Sequence, residues 1–183
     1  QSFKKGFEAF LKLEKSLSKN SVEAYIHDVD KLAQFLEIKG INTSVVHASQ
    51  HDLRDFLKYI NELGLQASSQ SRIISGLKAF YKYLILEDIL TKDRSVFIET
   101  PKIRRKLPEV LSISEIDLLL NGLDLSKPEN TRNRAMLEML YGSGLRVSEL
   151  INLQLSDLYY DLEFLKVRGK GDKERLVPVG ASA

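Results

Sequence analysis

An arginine and a glutamate stand three residues apart at a glycine-marked turn, in the stretch Tyr141-Gly-Ser-Gly-Leu-Arg-Val-Ser-Glu-Leu150. Glycine accepts backbone angles that other residues resist, so such a turn can bring a side chain close to a ligand. Residues three apart share a helix face, which lets Glu149 reach back and orient Arg146. A guanidinium held in this way is planar, permanently charged and forked, and it suits a phosphate. Taken alone, the stretch is equally well explained as an ordinary ion pair at a helix start.

A second candidate for chemistry is Lys170, which lies between two glycines in Gly169-Lys-Gly-Asp172. Before this turn, Leu162, Phe164 and Lys166 alternate with the residues between them in the pattern of a strand. A second strand-like run, from 175 to 179, follows the turn. This pattern predicts a β-hairpin with the lysine at its tip. A lysine at such a tip is most often only a soluble turn residue, and that explanation stays open from the hairpin alone.

The composition limits the classes of protein to consider. With 183 residues, 43% hydrophobic and 28% charged, the chain is typical of a soluble globular protein with one domain or two small ones. It has no cysteine, which excludes disulfides and cysteine-based metal sites and favours a cytoplasmic setting. No apolar run approaches the roughly 20 residues of a membrane helix, and no signal peptide is recognisable. Because the chain begins with Gln1 and ends after a strand-like stretch, we expect it to be part of a longer protein.

The net charge of +2 conceals a segregation along the chain. Counted by segment, residues 91–107 carry a net charge of +4, residues 108–163 carry −6 and residues 164–183 carry +3. The first basic segment has no helical pattern, and two prolines interrupt it, which indicates a domain boundary at 91–108. It is either a contact for a polyanion or simply a solvated linker. Its cations between the two prolines are Lys102, Arg104, Arg105 and Lys106.

Residues 1–90 contain four amphipathic patterns, which predict a small helical bundle. We place the helices at 3–17, at 21–38, from an N-cap at Ser49 to Gly64, and around the apolar repeat from Ile73 to Ile85. The fourth helix also has a small, hydroxyl-rich, cationic face, which can enter a DNA groove and contact phosphates, although a plain solvent-exposed face is the commoner explanation. The residues of this face and of the helix start are Ser71, Arg72, Ser75, Lys78 and Lys82.

Beyond the boundary the patterns predict helices followed by strands. Ser112 and Glu115 form a capping box, and the stretch from Ser126 to Glu129 predicts another, with Pro128 near the first helical position. The helix that follows runs to about residue 141, with Met136, Met139 and Leu140 predicted to be buried. Tyr159 and Tyr160, just before the hairpin, are predicted to be packing residues.

Two motifs in order carry a resemblance to a known family. Gly-Leu-Arg-Val-Ser-Glu-Leu is followed about twenty residues later by Gly-Lys-Gly-Asp-Lys-Glu-Arg-Leu-Val-Pro. This combination resembles the tyrosine recombinases of the phage integrase superfamily, and among them the Xer type most closely. The resemblance implies a mainly α architecture: a four-helix SAM-like core-binding domain at 1–90, a basic linker at 91–108, and at 109–183 the first part of a mixed α+β catalytic domain with a β-hairpin. In such enzymes the two lobes close around DNA like a letter C.

The resemblance also implies a chemistry. A tyrosine attacks the scissile phosphate, leaving a 3′-phosphotyrosyl link and a free 5′-hydroxyl, without a metal or other cofactor. Arg146 matches the first catalytic arginine, Glu149 the acidic residue that supports the site, and Lys170 the hairpin lysine that protonates the leaving 5′-oxygen. The residues expected to contact DNA are Ser71, Arg72, Ser75, Lys78, Lys82, Lys102, Arg104, Arg105, Lys106, Lys173 and Arg175.

This sequence departs from the family pattern after the hairpin. The expected His-x-x-Arg motif, a further His or Trp and the nucleophilic tyrosine are not among these 183 residues. We therefore expect these 183 residues to bind DNA without cleaving it. Two alternatives are a non-catalytic DNA-binding module of the same fold and a helical protein-interaction domain. The implied partners are double-stranded DNA with an inverted-repeat site and a homo- or hetero-tetramer of recombinase subunits, in a bacterial-type, nucleoid-associated cytoplasmic setting and without a membrane.

Overall fold

The computed structural model describes residues 2–103, 107–169 and 173–179. The chain divides into two compact units, residues 1–106 and 107–183, and each unit is described by itself. Four residues with predicted roles in binding or catalysis lie outside the described residues: Arg104, Arg105, Lys106 and Lys170.

The first unit is the predicted bundle of four helices: α1 (Ser2–Leu13), α2 (Lys19–Ile38), α3 (Gln50–Glu62) and α4 (Ala67–Leu86). The first helix ends earlier than its apolar spacing predicts, because Ser16 adopts a left-handed φ of 48° that stops the helix. The second begins two residues early, with Ser18 in the extended N-cap position. Ser49 caps α3 as predicted, in a capping box completed by Asp52.

Large aromatic side chains fill the core of this bundle. Phe7, Phe35, Phe56 and Phe80 are buried within it, and the ring of Phe7 meets that of Phe80 edge to face at 5.2 Å between centroids. Tyr81 is also fully buried, and its hydroxyl donates to the carbonyl of Val45 at 2.7 Å, so its polar end is satisfied inside the core. The apolar repeat of α4 thus forms the centre of the unit.

A buried carboxylate, which the sequence did not indicate, lies between α2 and α4. Asp28 is fully buried, and its Oδ2 accepts a hydrogen bond from Arg72 Nη1 at 2.8 Å. Oδ1 has no hydrogen-bond partner among the described residues. The carboxylate fits because α4 has a glycine opposite it: a Cβ on Gly76 would lie 2.6 Å from Oδ2. Burial raises the pKa of Asp28, although the charge of Arg72 opposes this effect.

The basic stretch after α4 begins on the helical unit. Ser95 and Ile98 are buried there, and Ile98 belongs to the core of the bundle. Arg94 Nη1 donates to the carbonyl oxygens of His47 at 2.5 Å and Ala48 at 3.0 Å. Arg94, Ser95 and Ile98 therefore attach this stretch to the helical unit, and one of its basic side chains is bound to carbonyl groups of the protein itself.

The described residues of the second unit form three α-helices, α5 (Ile113–Asn121), α6 (Pro128–Gly142) and α7 (Val147–Leu150), and a small sheet. The sheet is antiparallel in the order β1 (Leu158–Tyr159), β2 (Phe164–Arg168), β3 (Glu174–Pro178). The predicted hairpin is confirmed, with Val167 opposite Arg175 and Arg168 opposite Glu174. Together with the four-helix unit, this arrangement confirms the predicted fold class.

The two predicted capping boxes have different outcomes. Ser112 and Glu115 form theirs, with the Ser112 amide donating to Glu115 Oε2 at 2.8 Å. The box predicted at Ser126 is wrong, because its hydroxyl instead donates to Asp124 Oδ1 at 2.6 Å. A carboxylate two residues earlier competes locally for the serine hydroxyl. Helix α6 begins, as predicted, with Pro128 at its first turn.

The buried core of the second unit is small. Leu145, Leu165 and Val167 are its buried members, and Met139 and Leu140 pack against them. Three predictions of burial are wrong: Met136, Tyr159 and Tyr160 are exposed, because the helices and strands of this unit leave one side of α6 and the β1 region uncovered. Across both units, no described helix combines the length and apolar character needed to cross a membrane.

The pair between Asp28 and Arg72 predicts a pH-dependent stability. Arg72→Ala leaves the buried carboxylate without its cation, so the folded-state pKa of Asp28 rises further above the unfolded value of about 4. Stability then falls as the pH rises through the window between these two pKa values and recovers as the pH is lowered. We expect a loss of about 3 kcal/mol at neutral pH, measured by urea denaturation, and a smaller loss at pH 5.

The control for this prediction is the double variant Asp28→Asn/Arg72→Ala. It keeps His27 and Lys31, which also act on the Asp28 carboxylate, but has no buried carboxyl to titrate. Its stability should lack the additional pH dependence of Arg72→Ala. An equal loss for Arg72→Ala at pH 5 and pH 8 would show that the buried charge is not the cause.

Candidate active site

The turn between α6 and α7 is fixed by the conformation of Gly144 and by a hydrogen bond from Ser143. Gly144 has a φ of 60°, a left-handed conformation that side chains with a Cβ rarely adopt. Ser143 is buried, and its hydroxyl donates to the carbonyl of Pro178 on β3 at 2.9 Å. Leu145 then enters the small core. The turn therefore holds the next residue, Arg146, at a defined place beside the sheet.

Glu149 receives four hydrogen bonds from two arginines. The backbone amide and Nη1 of Arg146 each donate to it at 2.8 Å, and Nη1 and Nη2 of Arg175 donate to its two oxygens, also at 2.8 Å. The Glu149 side chain is only 4% exposed. These bonds hold the pKa of Glu149 far below its usual range, and those from Arg175 have the largest effect. The carboxylate is thus ionised and saturated with donors.

The Arg146 side chain is bound to Glu149 through one nitrogen, and the rest of its guanidinium is accessible to a ligand. Its side chain is 72% exposed although Nη1 is bound to Glu149. It lines a cleft of about 620 Å³ whose other wall includes Lys166 and Arg168 of β2. The spacing of Arg146 and Glu149 predicted this orientation, and the structure places the two residues accordingly. An anchored guanidinium at a cationic cleft can bind and polarise a phosphate oxygen.

Arg175, predicted as a DNA contact, is committed to Glu149 through both terminal nitrogens. This pairing raises the pKa of the Arg175 guanidinium. The ion pair joins β3 of the hairpin to α7, which carries Glu149. Its effect is to link the hairpin, in which Lys170 lies, to the turn that presents Arg146.

Lys166 and Arg168 are site residues that the sequence analysis missed. They lie two positions apart on β2, and both are among the residues that line the cleft with Arg146. The alternation of the hairpin would have placed them on one face of β2, but alternation alone does not show that they lie near the arginine turn. Both are paired with Glu174, at 3.5 Å from Lys166 Nζ and 3.3 Å from Arg168 Nε.

The predicted DNA-contacting residues of the first unit share the start and outer side of α4. Arg72 uses one nitrogen on Asp28, and the hydroxyl of Ser75 donates to the carbonyl of Ser71 at 2.9 Å. Lys82 is exposed and Lys78 is half-buried. Lys102 and Lys173, the remaining described candidates, are exposed. Within the described ranges, no group of three or more His, Asp or Glu side chains is placed to hold a metal ion.

Two family profiles match this chain. The one described as phage integrase, N-terminal SAM-like domain, matches residues 5–88, and the one described as phage integrase family matches residues 109–183. Among curated relatives, tyrosine recombinase XerD of Staphylococcus saprophyticus is 43% identical over 171 residues, which are 93% of this chain and 58% of that protein. XerD of Oceanobacillus iheyensis is 41% identical over 177 residues, which are 97% and 59%. The chain spans about three-fifths of the length of these relatives.

Solved structures show the same fold at lower identity. A lambda integrase tetramer bound to a Holliday junction superposes with a TM-score of 0.73 at 18% identity, covering 97% of this chain and 49% of that one. The recombinase XerH, bound to a palindromic difH substrate in a post-cleavage complex, has a TM-score of 0.67 at 22% identity, covering 87% and 49%. Identities this low establish the likeness of the fold alone.

The four bonds to Glu149 predict an acid-sensitive second unit. A carboxylate with a depressed pKa contributes stability that is present above its unfolded value of about 4.3 and is lost as the pH falls below it. We expect Glu149→Gln to lower hydrogen-exchange protection of the Leu165 and Val167 amides at neutral pH, and to remove the loss of protection that the natural protein shows on acidification. Nuclear magnetic resonance measures both.

Glu138→Gln is the matched control, because it removes a carboxylate that pairs with a single arginine, Arg134, on the same helix. It should leave the protection of β2 nearly unchanged at neutral pH. Equal protection in the two variants would contradict a special role for Glu149 in holding the sheet to the turn.

Proposed function

Because this chain belongs to the phage integrase family of tyrosine recombinases, we propose that it supplies the DNA-binding lobe and the first part of the catalytic lobe of a site-specific recombinase. The observation that carries this proposal is Arg146, anchored by the buried Glu149 and open to a cleft lined with cations. This arrangement suits the scissile phosphate of a DNA strand. The curated XerD relatives support the reaction type.

In the proposed reaction a tyrosine oxygen forms a bond to the scissile phosphorus while the bond from phosphorus to the 5′-oxygen breaks. Negative charge builds on the non-bridging oxygens in the transition state, and Arg146 stabilises it with donors already in place. Glu149 cannot act as a base at neutral pH, because its pKa lies far below the usual range. Its role is to orient Arg146. The reaction as proposed needs side-chain cations and no metal.

Lys170 is proposed as the acid that gives a proton to the leaving 5′-oxygen. It lies outside the described residues, so its support is the hairpin around it. Gly169, the residue before it, lines the cleft with Arg146, and the Gly169 amide donates to the carbonyl of Lys173 at 2.8 Å. The described residues on either side of the lysine therefore lie beside the cleft, on strands that Arg175 holds to α7, and this supports the proposed role.

The helical unit, residues 1–90, is proposed to bind double-stranded DNA through α4, and residues 91–108 to be a basic linker that continues this contact. The proposed contacts are Ser71, Arg72, Ser75, Lys78, Lys82, Lys102, Arg104, Arg105, Lys106 and Lys173, with Arg175 acting through Glu149. Structural relatives captured on a Holliday junction and on a palindromic site support DNA as the ligand. We propose that the DNA site is an inverted repeat and that the recombinase acts on it as a homo- or hetero-tetramer. We also propose that this reaction takes place on DNA in a bacterial cytoplasm.

These 183 residues should bind duplex DNA without cleaving it, since the nucleophilic tyrosine motif is not among them. On an inverted-repeat duplex with arms about one helical turn long, we expect log K to fall with log salt by about 0.9 per phosphate contact. The double variant Lys78→Gln/Lys82→Gln should reduce that slope by up to about 2, in gel-shift titrations.

The control pair Lys39→Gln/Lys58→Gln changes the charge equally on α3 and at the end of α2. It should leave the salt slope nearly intact. Binding that does not depend on salt, or no binding at all, would favour a protein-interaction domain over the proposed DNA-binding lobe.

In the full-length recombinase, Lys170→Ala should block cleavage of a nicked suicide substrate but regain it on a substrate with a bridging 5′-sulfur. A thiolate, whose conjugate acid has a pKa of about 8.5, leaves without a proton, whereas an alkoxide does not. Arg146→Ala should block cleavage of both substrates, because its charge acts on the non-bridging oxygens. If the sulfur substrate fails to rescue Lys170→Ala, the lysine is not the general acid.

A further inference from the structure

We infer that Lys166 and Arg168 form a second phosphate-binding subsite beside Arg146, for the neighbouring phosphate of the same DNA strand, with Glu174 as a counter-ion that this phosphate displaces. The inference rests on the proposed function, because it takes DNA as the ligand. It adds two residues that the family motifs of this chain do not include.

The strand geometry presents the two cations together. Residues two apart on a strand lie on one face, about 6.6 Å from each other. Leu165 and Val167, which alternate with them, are buried in the small core, so Lys166 and Arg168 lie on the more exposed face of β2, while Val167 also contributes to the cleft. Both line the cleft to which Arg146 contributes. A phosphate bound at this place on β2 can therefore contact both cations.

The pairing of these cations differs from that of the arginines on Glu149. Glu174 lies directly opposite Arg168 in the hairpin, and its Oε1 is shared between Arg168 Nε at 3.3 Å and Lys166 Nζ at 3.5 Å. Glu174 is 49% exposed, whereas Glu149 is 4% exposed. Long, solvated pairs of this kind are weak and are readily replaced by another anion.

Apart from Asp157, a buried carboxylate of the lining that accepts a hydrogen bond from the Gln154 amide, the charges of the cleft form two groups. Arg146 and Arg175 share one carboxylate, Glu149, which leaves one positive charge. Lys166 and Arg168 share Glu174, which leaves another and releases a further one when Glu174 swings away. Two separate cationic groups along one cleft fit two successive phosphates of a strand. A single phosphate, bound at Arg146, would leave the two cations on β2 with only the exposed Glu174 between them.

The test compares two glutamate variants in DNA-binding titrations with these 183 residues. Glu174→Gln removes the counter-ion, and Glu163→Gln makes the same change of charge at an exposed position just before β2, with no ion pair among the described residues. We expect Glu174→Gln to raise the association constant several-fold above the Glu163→Gln control, because no bound carboxylate has to be displaced. Lys166→Gln/Arg168→Gln should lower the salt slope by about 1 to 2.

A combined variant and a chemically modified DNA test whether the effect of Glu174→Gln acts through Lys166 and Arg168 and at a single phosphate. In the Lys166→Gln/Arg168→Gln background, Glu174→Gln should bind no better than Glu163→Gln. A neutral methylphosphonate, placed at each position along the strand in turn, should abolish the gain of Glu174→Gln at one position only. Circular dichroism and the thermal midpoint confirm that each variant is folded.

The results separate this inference from the proposed function. Salt-dependent binding by the natural sequence, with equal gains for Glu174→Gln and Glu163→Gln, overturns the second subsite and leaves the proposed function standing. A gain that persists without Lys166 and Arg168 also overturns the subsite, because it shows only a long-range effect of charge. No salt-dependent binding by the natural sequence overturns the proposed function itself.

Discussion

The second unit depends on one buried carboxylate. Removing an ionised group from water costs several kcal/mol unless hydrogen bonds replace the lost hydration, and Glu149 receives four. Those donors come from the backbone at the start of α7, from Arg146 and from β3. The turn, the guanidinium and the hairpin are therefore fixed by the same two oxygens, so a mainly exposed arginine can still have a defined direction. Because the apolar core of this unit is small, such polar bonds carry a larger share of its organisation.

The helical unit uses a buried carboxylate in a different way. Asp28 has one charged partner and one oxygen without a hydrogen bond, and it lies in a bundle already filled by aromatic side chains. Its cost is tolerated because the apolar core is large. The pair fixes how α2 meets α4 across Gly76, whereas the bonds to Glu149 fix the direction of a reactive group. Similar side chains thus serve packing in one unit and chemistry in the other.

Periodicity predicted much of the fold, and the failures have identifiable causes. The four helices, the hairpin, the N-cap at Ser49 and the capping box at Ser112 follow from signals within a few residues of each other. The box at Ser126 failed because Asp124 was a nearer partner. Asp28 was missed because its cation lies 44 residues away. In the candidate site, Arg146 and Glu149 were found from spacing, but which residues of β2 line the cleft is set by tertiary packing that no local pattern encodes.

Tyr81 has an optical consequence. The chain contains seven tyrosines and no tryptophan, so its near-ultraviolet absorbance comes mainly from phenol rings. Burial raises the pKa of Tyr81, whose hydroxyl donates to a carbonyl inside the bundle, while Tyr159 and Tyr160 of the other unit are exposed. The phenolate band of Tyr81 should therefore appear only when the helical bundle opens. Burial also raises the pKa of Tyr83 in the same bundle, so these two residues give the unit an intrinsic spectroscopic label, without a dye or an added chromophore.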